Sequence, residues 1–127
     1  MTNDERAKWL AYQLGLNEWR VSIGPDVKPE VYAETEVNEQ ERSAVISLGT
    51  EWLVKRVDMD NRRRDEVLIH ELGHALIADM TWTVEELMLK KVKGDSKDLA
   101  LAAWDQEVEK FCDRLGRALA TILARQP

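Results

Sequence analysis

A chain of 127 residues has the length of one ordinary domain and can bury a core of its own. Apolar residues make up 44% of it and charged residues 33%, which argues against disorder, and a net charge of −6 argues against nucleic acid as a partner, since polyanion binding depends on clustered Lys and Arg. The single cysteine, Cys112, cannot close an internal disulfide and no apolar run reaches the length of a signal peptide or membrane span, so a cytoplasmic protein held by packing, with help from a bound metal, is expected.

Residues Asn3 to Leu14 place Ala7, Leu10, Ala11 and Leu14 at helical spacing, with Gly15 as the stop, and predict an amphipathic first helix. Trp19 to Ile23 alternates and runs into Gly24-Pro25-Asp26, the pattern of a strand ending in a turn. Val31, Ala33, Thr35 and Val37 share one face of an extended segment, with Tyr32, Glu34 and Glu36 on the other, and Asn38 to Arg42 reads as a loop. Ser43 to Leu48 alternates again, with Ala44, Ile46 and Leu48 on one side, and gives a third strand before Gly49 and Thr50. Trp9, Trp19, Trp52, Trp82 and Trp104 are candidates for core packing.

From Asp60 to Ala78 there is no proline, and Val67, Leu68, Ile69, Leu72, Ala75, Leu76 and Ile77 surround the axis of a helix that turns about 100° per residue. This is the pattern of a buried central helix, with Arg62-Arg63-Arg64 as its solvated first turn. Thr83 and Glu86 have the spacing of a capping box and predict a short helix to Lys91, broken at Gly94 and Asp95. Ser96 is then placed to cap a long last helix with an apolar stripe of Val108, Cys112, Leu115, Leu119 and Ile122. The whole reads as one α+β domain over residues 1–127, with an N-terminal helix, a small three-stranded and mainly antiparallel sheet, a central helix and a long C-terminal helix.

The central helix carries His70-Glu71-Leu72-Gly73-His74. Residues four apart stack on one helix face, so His70 and His74 can present two imidazoles to one tetrahedral metal ion. Glu71 points beside them and can act as general base toward a water activated by that metal. By ordinary residue frequencies such a trio arises by chance in roughly one chain in a few hundred. Here the two histidines are the only ones present, and they lie in the most apolar segment, where an unpartnered carboxylate is costly to bury. Gly73 costs about 1 kcal/mol of helix propensity relative to Ala and marks a close approach, by substrate backbone or by a facing helix.

A catalytic zinc takes three protein ligands and keeps one position open. With no third histidine, the candidates on the last helix are Glu109, Asp105, Glu107 and Cys112. Glu109 is favoured as the third ligand, since Glu107 falls on the opposite flank of the stripe, Asp105 is the reserve and Cys112 belongs to the apolar stripe itself. Asp113, one turn after Glu109, is placed to hold the outer N–H of a zinc-bound histidine. Gly116, on the same side, allows the two helices to approach.

His70-Glu71-Leu72-Gly73-His74 followed by Glu109-Lys110-Phe111-Cys112-Asp113 resembles the gluzincin pattern, and the short chain is similar to minigluzincins and to the ImmA/IrrE-like metallopeptidase domains of phages and mobile elements. The likeness covers the second half of the chain and, by order of elements, the first. It implies a zincin-like domain with one catalytic Zn2+ held by His70, His74 and Glu109, Asp113 in support and Glu71 as catalytic base. It further implies a protein or peptide substrate, with a regulatory protein as one class, and makes Ser43 to Leu48 the edge strand that offers backbone groups to an extended peptide. Asp113 stands where the ImmA/IrrE-like signature carries an amide, closer to the thermolysin-like form. No His or Tyr follows His74 to stabilise an oxyanion, which leaves Arg114 and Arg117 as candidates. The alternatives are a zinc-containing module that binds a partner without cleaving it, and a deformylase-like amide hydrolase with Cys112 as ligand.

Overall fold

The computed structural model describes residues 2–24, 33–49, 61–91 and 93–125. Pro25, Asp26, Val31, Tyr32, Thr50, Trp52 and Asp60 lie outside the described residues. In chain order the elements are helix α1 (Asn3–Gln13), strands β1 (Arg20–Ile23), β2 (Ala33–Asn38) and β3 (Ser43–Leu48), and helices α2 (Asn61–Leu76), α3 (Ala78–Lys91) and α4 (Asp95–Ala124). This is an α+β fold with a three-stranded sheet.

The sheet departs from the expected pairing. Its order is β1-β3-β2, with β1 parallel to β3 and β2 antiparallel to it, so the sheet is mixed and not mainly antiparallel. The physical cause is the hairpin between β2 and β3. Asn38 pairs with Ser43, Arg42 takes a φ of 52°, and the Asn38 side chain accepts the Glu41 N–H, which turns the chain tightly and lays β3 between β2 and β1. Ser43 to Leu48 is therefore the central strand, with Ala44 and Ile46 fully buried, and the edge beside the metal-motif helix belongs to β2. Alternation along a strand reports which face is buried and carries no information about which neighbour it pairs with.

Helix α2 runs through the middle of the molecule, packed between the sheet with α1 on one side and α4 on the other, its most extensive partner. The core joins Leu10 and Ala11 of α1, Ala44 and Ile46 of β3, Leu68, Ile69 and Leu72 of α2, and Ala120 of α4. It is aliphatic. Trp9 and Trp82 are 36% and 47% exposed, and none of the described tryptophans belongs to the fully buried set, so the expected aromatic core is replaced by small and branched side chains. Leu76 is exposed as well, because α2 ends there and the chain turns into α3.

Helix α4 buries Val108, Cys112, Gly116 and Ala120, spaced by four, while Ile122 from the expected stripe is exposed. The buried line is made of small residues because the helices touch there. A Cβ at Gly116 would stand 2.6 Å from the Glu66 carbonyl oxygen, and one at Gly73 would stand 2.9 Å from Cys112 Sγ. The facing helix, then, is what approaches Gly73.

Two helix starts differ from expectation. Helix α3 begins at Ala78, so Thr83 is interior, and its hydroxyl donates back to the Asp79 carbonyl oxygen at 2.9 Å instead of capping. Helix α4 begins at Asp95 after Gly94, whose φ of 70° ends the preceding turn, and no side chain caps it; Asp95 and Asp98 in the first turn favour the positive end of the helix dipole. Conversely, α1 has a capping box, Thr2 with Glu5, legible in the sequence by its spacing.

One ion pair ties α1 to the start of α2. Arg6 Nε and Nη2 donate to the two carboxylate oxygens of Asp65 at 2.9 and 2.6 Å, and Asp65 is only 3% exposed. The Asp65 partner raises the Arg6 pKa above its ordinary value. Alanine at Arg6 leaves that buried carboxylate with only Arg64 Nε, 3.9 Å from Oδ1, as a cationic neighbour, and since the Arg6 side keeps some contact with water the expected loss is about 1–3 kcal/mol of stability, read from urea denaturation. An unchanged midpoint would show that the pair contributes nothing.

Candidate metal centre

Helix α2 presents His70 and His74 one turn apart, and α4, drawn close at Gly73 and Gly116, brings Glu109 opposite them. The two imidazoles each place Nε2 3.1 Å from a different oxygen of the Glu109 carboxylate. One ligand atom from each of His70, His74 and Glu109 lies within 4.8 Å of the other two. A zinc-to-nitrogen bond of about 2.0–2.1 Å in tetrahedral geometry puts donors about 3.3 Å apart, so small side-chain adjustments suffice to close this group on an ion.

The chemistry of His70 fits a cation as well. Its Nδ1 lies 2.7 Å from Asp113 Oδ1 while its Nε2 faces Glu109. Ionised carboxylates only accept, so each ring nitrogen of His70 has to face Glu109 or Asp113 with a proton or a cation. A cation between Nε2 and Glu109 meets that demand on one side and leaves Nδ1–H for Asp113 on the other. His74 is held below the ordinary histidine pKa, first by burial, which opposes the attraction of Glu109 and favours the neutral, ligating form.

Comparison with protein-family models, curated proteins and solved structures gave no match.

Glu71 is 6% exposed. Burial pushes its carboxyl up to about 7 in the metal-free protein, against the opposing effects of a hydrogen bond from Thr35 and the nearby His70. Thr35 Oγ1 donates to Glu71 Oε2, and Glu71 Oε1 lies 3.8 Å from His70 Nε2, on the side of the donor group. Thr35 was legible only as a residue on the inward face of β2; its one signal was a hydroxyl between Ala33 and Val37.

The other candidates are placed apart from the donor group. Asp105 lines the cavity next to it without joining it, and Glu107 is exposed and paired with Lys110 at 3.1 Å. Arg114 and Arg117 are exposed, and neither lines the two cavities at the donor group. Cys112 is fully buried against Gly73. Burial, with the negative charges of Glu109, Glu71 and Asp113, pushes its thiol up to about 12. A thiol-reactive chromogenic disulfide at pH 8 should therefore leave the folded protein unlabelled and label one thiol after denaturation; rapid labelling of the folded form would place Cys112 nearer the surface than its burial indicates.

Two cavities flank the site. One of about 480 Å³ is lined by Thr35, Val37, His74, Trp82 and Glu109 among others, and one of about 210 Å³ by Ala33, Arg63, His70, Glu71 and Asp113. The inward face of β2 runs past both, from Ala33 through Thr35 to Val37. Among the described residues no helix is long and apolar enough to cross a membrane.

Proposed function

We propose that the protein is a zinc-dependent metallopeptidase of the gluzincin type, with a zincin-like fold, in which His70, His74 and Glu109 hold the metal and Glu71 is the general base. The observation that carries this reading is the convergence of those three donors from two helices beside a buried glutamate. Three protein ligands with a cavity alongside suit a catalytic site better than a structural one, which closes with four ligands, and this favours turnover over the partner-binding alternative.

A zinc ion held there would polarise the scissile carbonyl and acidify a water beside it. Glu71 accepts a proton from the attacking water at Oε1 and returns it to the departing amine nitrogen. Asp113 fixes the orientation of His70. The edge of β2 away from β3, unpaired among the described residues, would offer N–H and C=O groups to an extended peptide lying along the line of the two cavities. The larger cavity carries Glu39, Glu85 and Asp105 with Trp82 and, among the described residues, no Lys or Arg, which favours peptides with a cationic side chain near the scissile bond. A regulatory protein as substrate follows from the resemblance to phage and mobile-element peptidases.

The test is release of fluorescence from self-quenched labelled casein by the zinc-loaded protein, abolished by a chelator and restored by zinc. A protein that takes up no zinc, or a zinc-loaded protein that leaves casein intact while binding it, would overturn the peptidase reading.

A further inference from the structure

We infer that Thr35 is a positioning residue for Glu71: its hydroxyl occupies Oε2 and thereby turns Oε1, the atom that carries the proton, toward the metal donors. This rests on the peptidase reading and adds to it a residue outside the metal motif, on the strand along which the substrate would lie.

Thr35 lies opposite Ile46 on β3, which is fully buried, so its backbone is fixed from behind by the ladder, while among the described residues no strand pairs with the other edge of β2. Its neighbours on the inward face, Ala33 and Val37, are apolar, and a valine at this position would serve the sheet equally well. The hydroxyl therefore needs a separate reason. It donates to Glu71 Oε2, and among the described residues its other acceptor is the Glu71 carbonyl oxygen at 3.4 Å, a distance that makes it the weaker partner.

The consequence for Glu71 is geometric. A carboxylate rotates easily about its last torsion, so a glutamate without a partner presents either oxygen, or neither, to the donor group. With Oε2 tied to Thr35, Oε1 is the oxygen left on the His70 side, 3.8 Å from Nε2. In the reaction a proton passes from the attacking water to Oε1 and on to the leaving nitrogen, while the Thr35 proton stays on Oγ1 throughout. Thr35 also sits at the boundary between the two cavities, since Ala33 lines the smaller and Thr35 and Val37 the larger. The base is thus held by the strand along which the peptide would lie.

The experiment compares Thr35→Val, Thr35→Ser and Glu71→Gln in the full, zinc-loaded chain. It uses self-quenched casein for kcat and KM, mass spectrometry for zinc, and the carbon-13 signal of the Glu71 side-chain carboxyl for its environment. Thr35→Val should lower kcat by about 10–100-fold, the scale of a misplaced catalytic group, with KM and zinc content unchanged. Thr35→Ser should return kcat to within about threefold of the parent, because serine keeps the hydroxyl. The Glu71 carboxyl signal should move in Thr35→Val and stay in place in Thr35→Ser. Equal losses in both variants, or an unaltered kcat in Thr35→Val while Glu71→Gln is inactive, overturns the inference and leaves the peptidase reading standing. If the parent itself does not cleave casein, the carboxyl signal decides: a shift confined to Thr35→Val supports the positioning contact even as the peptidase reading falls, and no shift overturns both.

Discussion

Alanine at His74, or alanine at Glu109, is expected to abolish stoichiometric zinc binding, whereas alanine at Asp105 and serine at Cys112 leave it intact. The expectation follows from how the site is divided between two helices. His70 and His74 supply two donors from one turn of α2, and Glu109 is the residue of α4 that faces Nε2 of both. Losing any one of the three leaves two protein ligands, and the affinity should fall by more than the roughly 10–100-fold that a supporting residue contributes. Asp113→Ala belongs to that smaller class, since Asp113 faces Nδ1 of His70 and is not one of the converging donors. Metal content by mass spectrometry, with competition against a chromophoric chelator for the weaker cases, separates the classes. The same binding appears as stability. An ion at a free concentration of 100 times its Kd stabilises the folded form by about 2.7 kcal/mol, so the parent should melt higher with zinc and His74→Ala should not respond. Zinc lost in His74→Ala and kept in Glu109→Ala would move the third ligand to Asp105 or Glu107.

The donor group was legible in the sequence because helix geometry is local. A separation of four positions fixes the relation of the two histidines within one turn, and the preference for Glu109 over Glu107 needed only the position of each residue relative to the apolar stripe. The helix order, the three strands and the close approach at Gly116 were legible for the same reason. Gly73 signalled a neighbour without naming it, and the neighbour proved to be Cys112 on α4.

What could not be read depends on contacts between distant segments. The place of β3 in the centre of the sheet is set by a turn at Arg42 and by β1 pairing from the other side, neither of which the alternation of Ser43 to Leu48 reports. The same holds for Thr35, whose role depends on a helix 36 positions later, and for Asp65, whose burial depends on Arg6, 59 positions earlier. The tryptophans misled because large apolar side chains were assumed to fill the interior. A central helix flanked at close quarters by α4 leaves room for Ala, Gly and Cys along the contact, and the described indoles are exposed or only partly buried.

Glutamine at Glu71 is expected to remove turnover while strengthening the metal-free fold. Glutamine has nearly the volume of glutamate, and its amide oxygen accepts the Thr35 hydroxyl in place of Oε2, so the site keeps its shape and both histidines keep their zinc. What it loses is the base, and hydrolysis of casein by the zinc-loaded protein should fall by roughly 10²–10⁴-fold. The stability effect has a definite sign. Without metal, burial holds the Glu71 carboxyl up to about 7 against an ordinary value of 4.5. Below pH 4.5 the folded and unfolded chains both carry the proton; between 4.5 and 7 the folded chain keeps a proton that the unfolded chain has released, so the stability of the protonated form is lost as pH rises through about 7. Glutamine does not ionise and escapes that loss. With chelator present, Glu71→Gln should differ little from the parent near pH 4 and exceed it near pH 8 by on the order of 1–3 kcal/mol in urea denaturation. A gap of the same size at both values would trace the effect to packing. A gap that opens with pH, together with lost hydrolysis and retained zinc, would mean that the carboxylate is kept in this buried place at a cost to the fold, for the proton it moves.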